Sequence, residues 1–157
     1  MDQLNLANPV FATYAIAAAI MVIKGVAMSW LTVARMISGN AGLLNPEDLR
    51  QTPFNRKPDP AQLEPDERVE RVRRIQRNDL ESLPYFFTAG LLYVTTMPPL
   101  WLAQLLFYGF VVTLLAHFIA YITAQNHEVR AALWTLGSLV ILFLAGATLV
   151  SVFSGLS

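Results

Sequence analysis

Three long stretches of this chain are almost free of charge, and no other feature constrains the fold as strongly. Residues 11–31 contain a single charged side chain, Lys24, whereas residues 83–115 and 131–157 contain none. An α-helix crosses a bilayer with about 20 predominantly apolar residues, so each stretch is long enough to span a membrane. Helices are favoured over strands because no stretch alternates apolar with polar residues, and a helix satisfies its own backbone hydrogen bonds in lipid.

The middle uncharged stretch is too long for a single crossing, and Met97-Pro98-Pro99 divides it. Tandem prolines lack backbone N–H donors and disfavour a helical conformation in the residue before them. The sequence therefore predicts an all-α fold, an integral membrane four-helix bundle formed by one domain over residues 1–157. The predicted spans are residues 10–36, 66–96, 99–124 and 128–154, and a polar, proline-rich loop covers residues 37–65.

The basic residues predict the orientation of this bundle. Nine of the eleven lie in one segment, from the end of the first span through the loop to the first half of the second span. They are Arg35, Arg50, Arg56, Lys57, Arg68, Arg71, Arg73, Arg74 and Arg77. By the positive-inside rule the loop is cytoplasmic, and Arg130, at the start of the fourth span, joins the same face. We expect a multi-pass protein of the endoplasmic reticulum or of a bacterial inner membrane. Any catalytic site should lie on its cytoplasmic face.

Composition argues against two classes of function. The net charge is zero, and carboxylates interleave with the arginines, so the field that binding to nucleic acid phosphates requires is cancelled. The chain contains no cysteine, so it has neither a disulfide framework nor a thiol nucleophile of its own. Thiol chemistry would have to come from a ligand.

The strongest candidate site lies where the second helix enters the bilayer. Arg74, Arg77, Asn78 and Glu81 are spaced i, i+3, i+4 and i+7, so they share one helix face. The arginines could simply extend toward lipid headgroups. A carboxylate at the edge of an apolar span is costly unless it is paired or faces a polar cavity, so Glu81 marks either an intramembrane site or a structural ion pair.

Two polar residues on the third helix could complete this site. His117 and Tyr121 are four residues apart, near the cytoplasmic end of an otherwise apolar span. They either contact a ligand or form hydrogen bonds and interfacial contacts of the kind common in membrane helices. A metal site is not predicted, because the other histidine, His127, has no set of ligands at metal-binding spacing.

Three further cations have more than one interpretation. Arg130 could hold an anionic headgroup, or it could lower the pKa of a bound thiol so that the thiolate forms near neutral pH. Lys24 is predicted to pair with an acidic or polar group inside the bundle. Arg35 is either interfacial or a ligand contact.

The second helix also carries a recognisable motif. The segment from Arg74 to Glu81, followed by Pro84, resembles the Arg-x-Gln-x-Asn-x-x-Glu-x-x-Pro signature of the MAPEG family, the membrane-associated proteins in eicosanoid and glutathione metabolism. The similarity extends over the whole chain, and the order of further motifs is most similar to that in its prostaglandin E synthases. Those motifs are Asn45-Pro46-Glu47-Asp48, Glu70-Arg71, Ala116-His117, Ala120-Tyr121 and Arg130.

The resemblance implies a homotrimer that binds glutathione at each subunit interface and acts on a lipophilic small molecule. It implies that Arg130 stabilises the glutathione thiolate and that Asp48 is a second catalytic residue. The implied glutathione-binding residues are Arg35, Arg74, Arg77, Asn78, Glu81, His117, Tyr121, Arg130 and Trp134.

The resemblance also carries departures that bear on activity. Ala131, Trp134 and Leu114 replace the serine, tyrosine and arginine of the prostaglandin synthases. We therefore expect a glutathione transferase or peroxidase, with prostaglandin E synthase-like isomerase activity in question. The alternatives are a non-catalytic lipid-binding protein of the same family and a small transporter, although a transporter would require polar residues at mid-membrane.

Overall fold

The computed structural model describes residues 2–156, and the side chains of residues 3–155. Four long helices make up most of the chain: α1 (Pro9–Gly39), α2 (Glu67–Val94), α3 (Leu100–Ile122) and α4 (His127–Leu156). Short 3₁₀ turns lie before α1 and in the loop between α1 and α2, and the described residues contain no strand. The predicted all-α four-helix fold is confirmed.

Three of the helices are long and apolar enough to cross a membrane: α1, α3 and α4. The fourth, α2, does not meet that criterion because its first half is densely charged, from Glu67 to Glu81. The prediction of an integral membrane protein is confirmed, whereas the orientation of the bundle stays a prediction. Helix α2 runs without interruption through Pro84, because the lost donor affects a single hydrogen bond.

Aromatic side chains form the centre of the apolar core. Phe86 of α2 and Phe110 of α3 are fully buried, and their rings stack with centroids 3.9 Å apart. The Tyr14 hydroxyl of α1 donates a hydrogen bond to the Phe87 carbonyl over 2.9 Å. Gly90 makes room for that ring, since a Cβ there would lie 2.9 Å from Cε2 of Tyr14. Helices α1, α2 and α3 therefore hold each other at close range.

A buried ion pair crosses from α1 to α2 in the loop-side half of the bundle. The Lys24 ammonium lies 2.5 Å and 2.6 Å from the two carboxylate oxygens of Asp79. Both side chains are almost fully excluded from the surface, at 7% and 6% exposure. The prediction that Lys24 pairs inside the bundle is confirmed.

The loop between α1 and α2 is ordered around one buried amide. Gln62 is 3% exposed, and its Nε2 donates to the side-chain oxygen of Asn40 over 2.6 Å. Its Oε1 accepts a hydrogen bond from the Asn55 amide over 2.8 Å. Arg73 of α2 donates to the Gly42 carbonyl over 2.7 Å, so the loop is attached to the first turns of α2.

Candidate functional site

Tyr121 is the meeting point of three helices at the loop-side end of the bundle. Its hydroxyl accepts a hydrogen bond of 3.0 Å from the Asn78 amide of α2. The Arg130 guanidinium of α4 lies 4.5 Å from the centre of the Tyr121 ring, within cation–π range. The His117 ring lies 5.0 Å from the same ring, one helical turn earlier on α3. These four residues, predicted on three separate segments, form one cluster.

Arg71 belongs to this neighbourhood, although the sequence analysis did not include it among the site residues. Its guanidinium donates to the Tyr121 carbonyl over 3.2 Å and contacts the Glu67 carboxylate over 3.2 Å. The signal was available in the spacing, because Arg71 stands three residues before Arg74 and seven before Asn78 on the same helix face. Arg71 joins the start of α2 to the end of α3.

The remaining predicted residues of α2 are found at the rim of the cluster. Arg74 is exposed and forms an ion pair of 2.6 Å with Glu67, which draws its guanidinium toward the helix start. Arg77 and Glu81 are exposed, and neither has an ion-pair or hydrogen-bond partner among the described side chains. One cation and one carboxylate on the same face are therefore open to a ligand or to another chain.

An apolar groove with a volume of about 810 Å³ runs between α2 and α4. Glu81 and Trp134 line it, and the two helices run in the same direction, so both residues mark its loop-side end. The hydroxyls of Thr88 and Thr148 donate to carbonyls of their own helices over 2.9 Å and 2.8 Å, so they leave the wall largely apolar. Trp134 follows Arg130 by one helical turn, so the loop-side end of the groove lies next to the turn of α4 that carries the polar cluster.

Two predicted residues lie away from this cluster. Arg35 of α1 donates to the Arg68 carbonyl over 2.7 Å, near the first turn of α2. Asp48 lies in a 3₁₀ turn of the loop, where its carboxylate accepts a 3.4 Å hydrogen bond from the Asn45 backbone. Neither side chain contacts Tyr121 or Arg130 among the described interactions. A single chain brings together part of the implied site.

The strongest electrostatic effect outside the membrane stabilises the start of α2. The side chain of Arg68 donates to the Asp66 carboxylate, and the backbone N–H groups of Arg68 and Val69 do the same. These hydrogen bonds lower the pKa of Asp66 to about 2. Its carboxylate thus stays charged as the N-cap of the helix that carries the rim residues. The described residues contain no group of three or more histidine, cysteine or acidic side chains that could hold a metal ion.

Known proteins supply an independent comparison. The MAPEG family model matches residues 14–150 of this chain. Microsomal glutathione S-transferase 1 of Sus scrofa is 37% identical over 139 residues, which cover 88% of each chain. The human protein of that name is 36% identical over the same coverage.

A second kind of relative also matches most of the chain. Human prostaglandin E synthase is 28% identical over 142 residues, covering 87% of this chain and 86% of its own. Its identity is lower than that of the two transferases, although both kinds of protein match along nearly the whole length. The chain has four helices packed around an apolar core, and α2 carries the Arg-x-Gln-x-Asn-x-x-Glu motif. Because the family model also matches most of its residues, this chain belongs to the MAPEG family.

Proposed function

We propose that this protein is a glutathione-dependent membrane enzyme that transfers glutathione to lipophilic electrophiles or reduces lipophilic hydroperoxides. The observation that carries the proposal is that a polar cluster and an apolar groove lie on neighbouring turns of the same helices. Asn78 and Arg130, which both contact Tyr121, stand about one helical turn before Glu81 and Trp134, which line the groove. A charged cosubstrate and a lipid-soluble substrate could meet there without either leaving its preferred environment.

The free groups at the rim match the ionic groups of glutathione, which has two carboxylates, one ammonium and a thiol. Arg77 offers an unpaired guanidinium for a carboxylate, and Glu81 offers an unpaired carboxylate for the ammonium. Arg74 could add a second cation by leaving Glu67, with which it forms an exposed and therefore weak ion pair. The Asn78 amide, already oriented by Tyr121, would add a neutral hydrogen bond.

Glutathione, when bound, would supply the sulfur nucleophile that the chain itself lacks. Arg130 is suited to stabilise negative charge at that sulfur. Its Nε donates to the Asn126 carbonyl over 3.3 Å, and its terminal nitrogens have no hydrogen-bond partner among the described residues. The guanidinium lies 4.5 Å from the centre of the Tyr121 ring. A fixed cation beside a thiol favours the thiolate, which is the reactive form.

The two residues that lie apart support a further part of the proposal. Arg35 and Asp48 would reach the cluster only if another copy of the chain brought them there, which is consistent with a homotrimer with glutathione at its interfaces. Asp48 would then act beside Arg130 as the second catalytic residue. Native mass measurement in detergent tests this arrangement, and monomers that bind glutathione fully would contradict it.

The substitutions near Arg130 favour transfer and peroxide reduction over isomerisation of prostaglandin H. Ala131 has no hydroxyl to donate toward the sulfur, and Trp134 donates from an indole N–H rather than from a phenol. Isomerisation requires exact placement of an endoperoxide, whereas attack by an activated sulfur tolerates looser binding.

The experiment is a comparison of substrates on one preparation. Turnover is measured with 1-chloro-2,4-dinitrobenzene, cumene hydroperoxide and prostaglandin H at fixed glutathione, and stabilisation by glutathione is measured by thermal unfolding. We expect activity with the first two substrates and a rise in unfolding temperature. Stabilisation without turnover of any substrate would favour a lipid-binding role, and highest catalytic efficiency on prostaglandin H would overturn the ranking. The double variant Ala131→Ser with Trp134→Tyr should gain isomerase activity.

A further inference from the structure

The loop between α1 and α2 carries an aromatic side chain that is almost fully exposed. Phe54 is 93% exposed, more than any other large apolar side chain described. The turn that carries it is built by two 3.0 Å hydrogen bonds, from the Thr52 N–H to the Asn55 carbonyl and from the Asn55 N–H to the Thr52 hydroxyl. The Asn55 amide anchors the turn to the Asp48 carbonyl and to the buried Gln62. The ring is displayed by an ordered turn.

Cations flank Phe54 along the chain. We call residues 50–57 the loop tip; it contains Arg50, Arg56 and Lys57 and no acidic residue. All three cations are exposed, and none has an ion-pair or hydrogen-bond partner among the described residues. An exposed aromatic ring among unpaired cations is the chemistry that favours an anionic interface.

The loop follows an apolar outward face of α1. Trp30 is 71% exposed on that face, and Ile37, in the last turn of the helix, is 65% exposed. Helix α1 ends at Gly39, two residues after Ile37, and the chain then enters the loop. The loop tip therefore begins only a short segment away from side chains that need contact with lipid.

We propose that the loop tip docks on anionic lipid headgroups of the leaflet from which it emerges, with Phe54 inserted at the interface and Arg50, Arg56 and Lys57 against lipid phosphates. The positive charge of the loop tip favours anionic lipid over a second copy of the chain. Three cations without an acid attract anionic headgroups, whereas the same tip of a second copy would repel them. The contact does not involve Tyr121 or Arg130.

The absence of cysteine allows a direct test with single-site spin labels. Gln51→Cys places a nitroxide on the loop tip, and Ala61→Cys places a control on an exposed position of the second 3₁₀ turn in the loop. Collision with oxygen and with a water-soluble nickel chelate is measured in nanodiscs of phosphatidylcholine alone or with about 30% phosphatidylserine. We expect the anionic lipid to lower nickel collisions at residue 51 by about threefold or more, and to leave residue 61 unchanged.

Two variants separate the apolar and the electrostatic parts of the contact. In the Gln51→Cys background, Phe54→Ser should restore nickel access, and Arg56→Gln with Lys57→Gln should remove the dependence on phosphatidylserine. Salt of about 1 M, which shortens the screening length to about 3 Å, should act like the second variant. Equal nickel access in both bilayers would overturn the proposal, and so would protection that persists in neutral detergent.

Discussion

Asp79 and Glu81 are two carboxylates of α2 that stand only two residues apart but lie in opposite environments. Asp79 is buried against Lys24 of α1, with oxygens 2.5 Å and 2.6 Å from the ammonium. Glu81 is exposed at the mouth of the groove between α2 and α4, and no side chain in the described part of the chain pairs with it. Successive residues of a helix are rotated by about 100°, so two residues place these groups on nearly opposite sides.

The comparison separates charges that serve folding from charges that are free for a ligand. A closed ion pair can no longer take part in binding, since its donors and acceptors are used inside the bundle. An open carboxylate near the membrane is costly to keep, and it is tolerated where a ligand or a partner satisfies it. The two carboxylates should therefore respond to mutation in different ways.

Breaking the closed pair should have the largest effect. Asp79→Leu leaves Lys24 buried without a partner, so we expect the free energy of unfolding to fall by about 3–5 kcal/mol. The double variant Lys24→Met with Asp79→Leu should recover most of that loss, because no buried charge remains. Unfolding in detergent, followed by circular dichroism, measures both. A single variant as stable as the parent would show that the pair contributes nothing to the bundle.

Removing the Arg130 side chain should leave the fold intact and lower the rate of turnover. For Arg130→Ala we expect kcat to fall by about 10²-fold, with a much smaller change in glutathione affinity, because the cation acts mainly on the reacting sulfur. Arg56→Ala is the control, since it removes an exposed arginine far from Tyr121 along the chain, whereas Arg130 is half-buried beside Tyr121. Turnover of Arg130→Ala within a few-fold of the parent would contradict the proposed role.

Neutralising the open carboxylate should weaken binding instead. For Glu81→Gln we expect a Kd for glutathione that is roughly 10- to 100-fold higher, in line with the loss of about 1.5–3 kcal/mol from a hydrogen bond to a charged group. Thermal stability without glutathione should hardly change, in contrast with Asp79→Leu. Isothermal titration measures the affinity, and Glu128→Gln, in the first turn of α4, is the control. Unchanged affinity would mean that Glu81 does not contact the ligand.

The smallest effect is expected at the start of α2. Hydrogen bonds from Arg68 and Val69 hold the pKa of Asp66 at about 2, below its ordinary value of 3.8. A carboxyl group with a lowered pKa in the folded state contributes stability above pH 4, and this contribution is lost as pH falls from about 4 to about 2. Asp66→Asn should therefore lower the unfolding temperature slightly at pH 6, and the difference should vanish near pH 2. A constant difference across that range would contradict this assignment.

Local sequence patterns were sufficient for the helices and for one face of the site. The uncharged stretches predicted four helices because apolar length is a property of consecutive residues. The spacing from Arg74 to Glu81 placed those residues on one face, because helical geometry repeats over short separations. Their roles in binding glutathione stay predictions that rest on the family resemblance.

The partners of the polar groups could not be read from spacing, since they depend on how helices distant in sequence are packed. Lys24 could have paired with any carboxylate, and the packing of α1 on α2 selects Asp79 across 55 positions of the chain. The role of Tyr121 as a shared contact of Asn78, His117 and Arg130 arises in the same way, from the crossing of three helices. The sequence by itself determined that the chain is helical and mostly apolar, with its charged groups gathered at one end of the bundle. Tertiary packing decided which charges are closed and which stay open, because that choice depends on the distances between side chains on different helices.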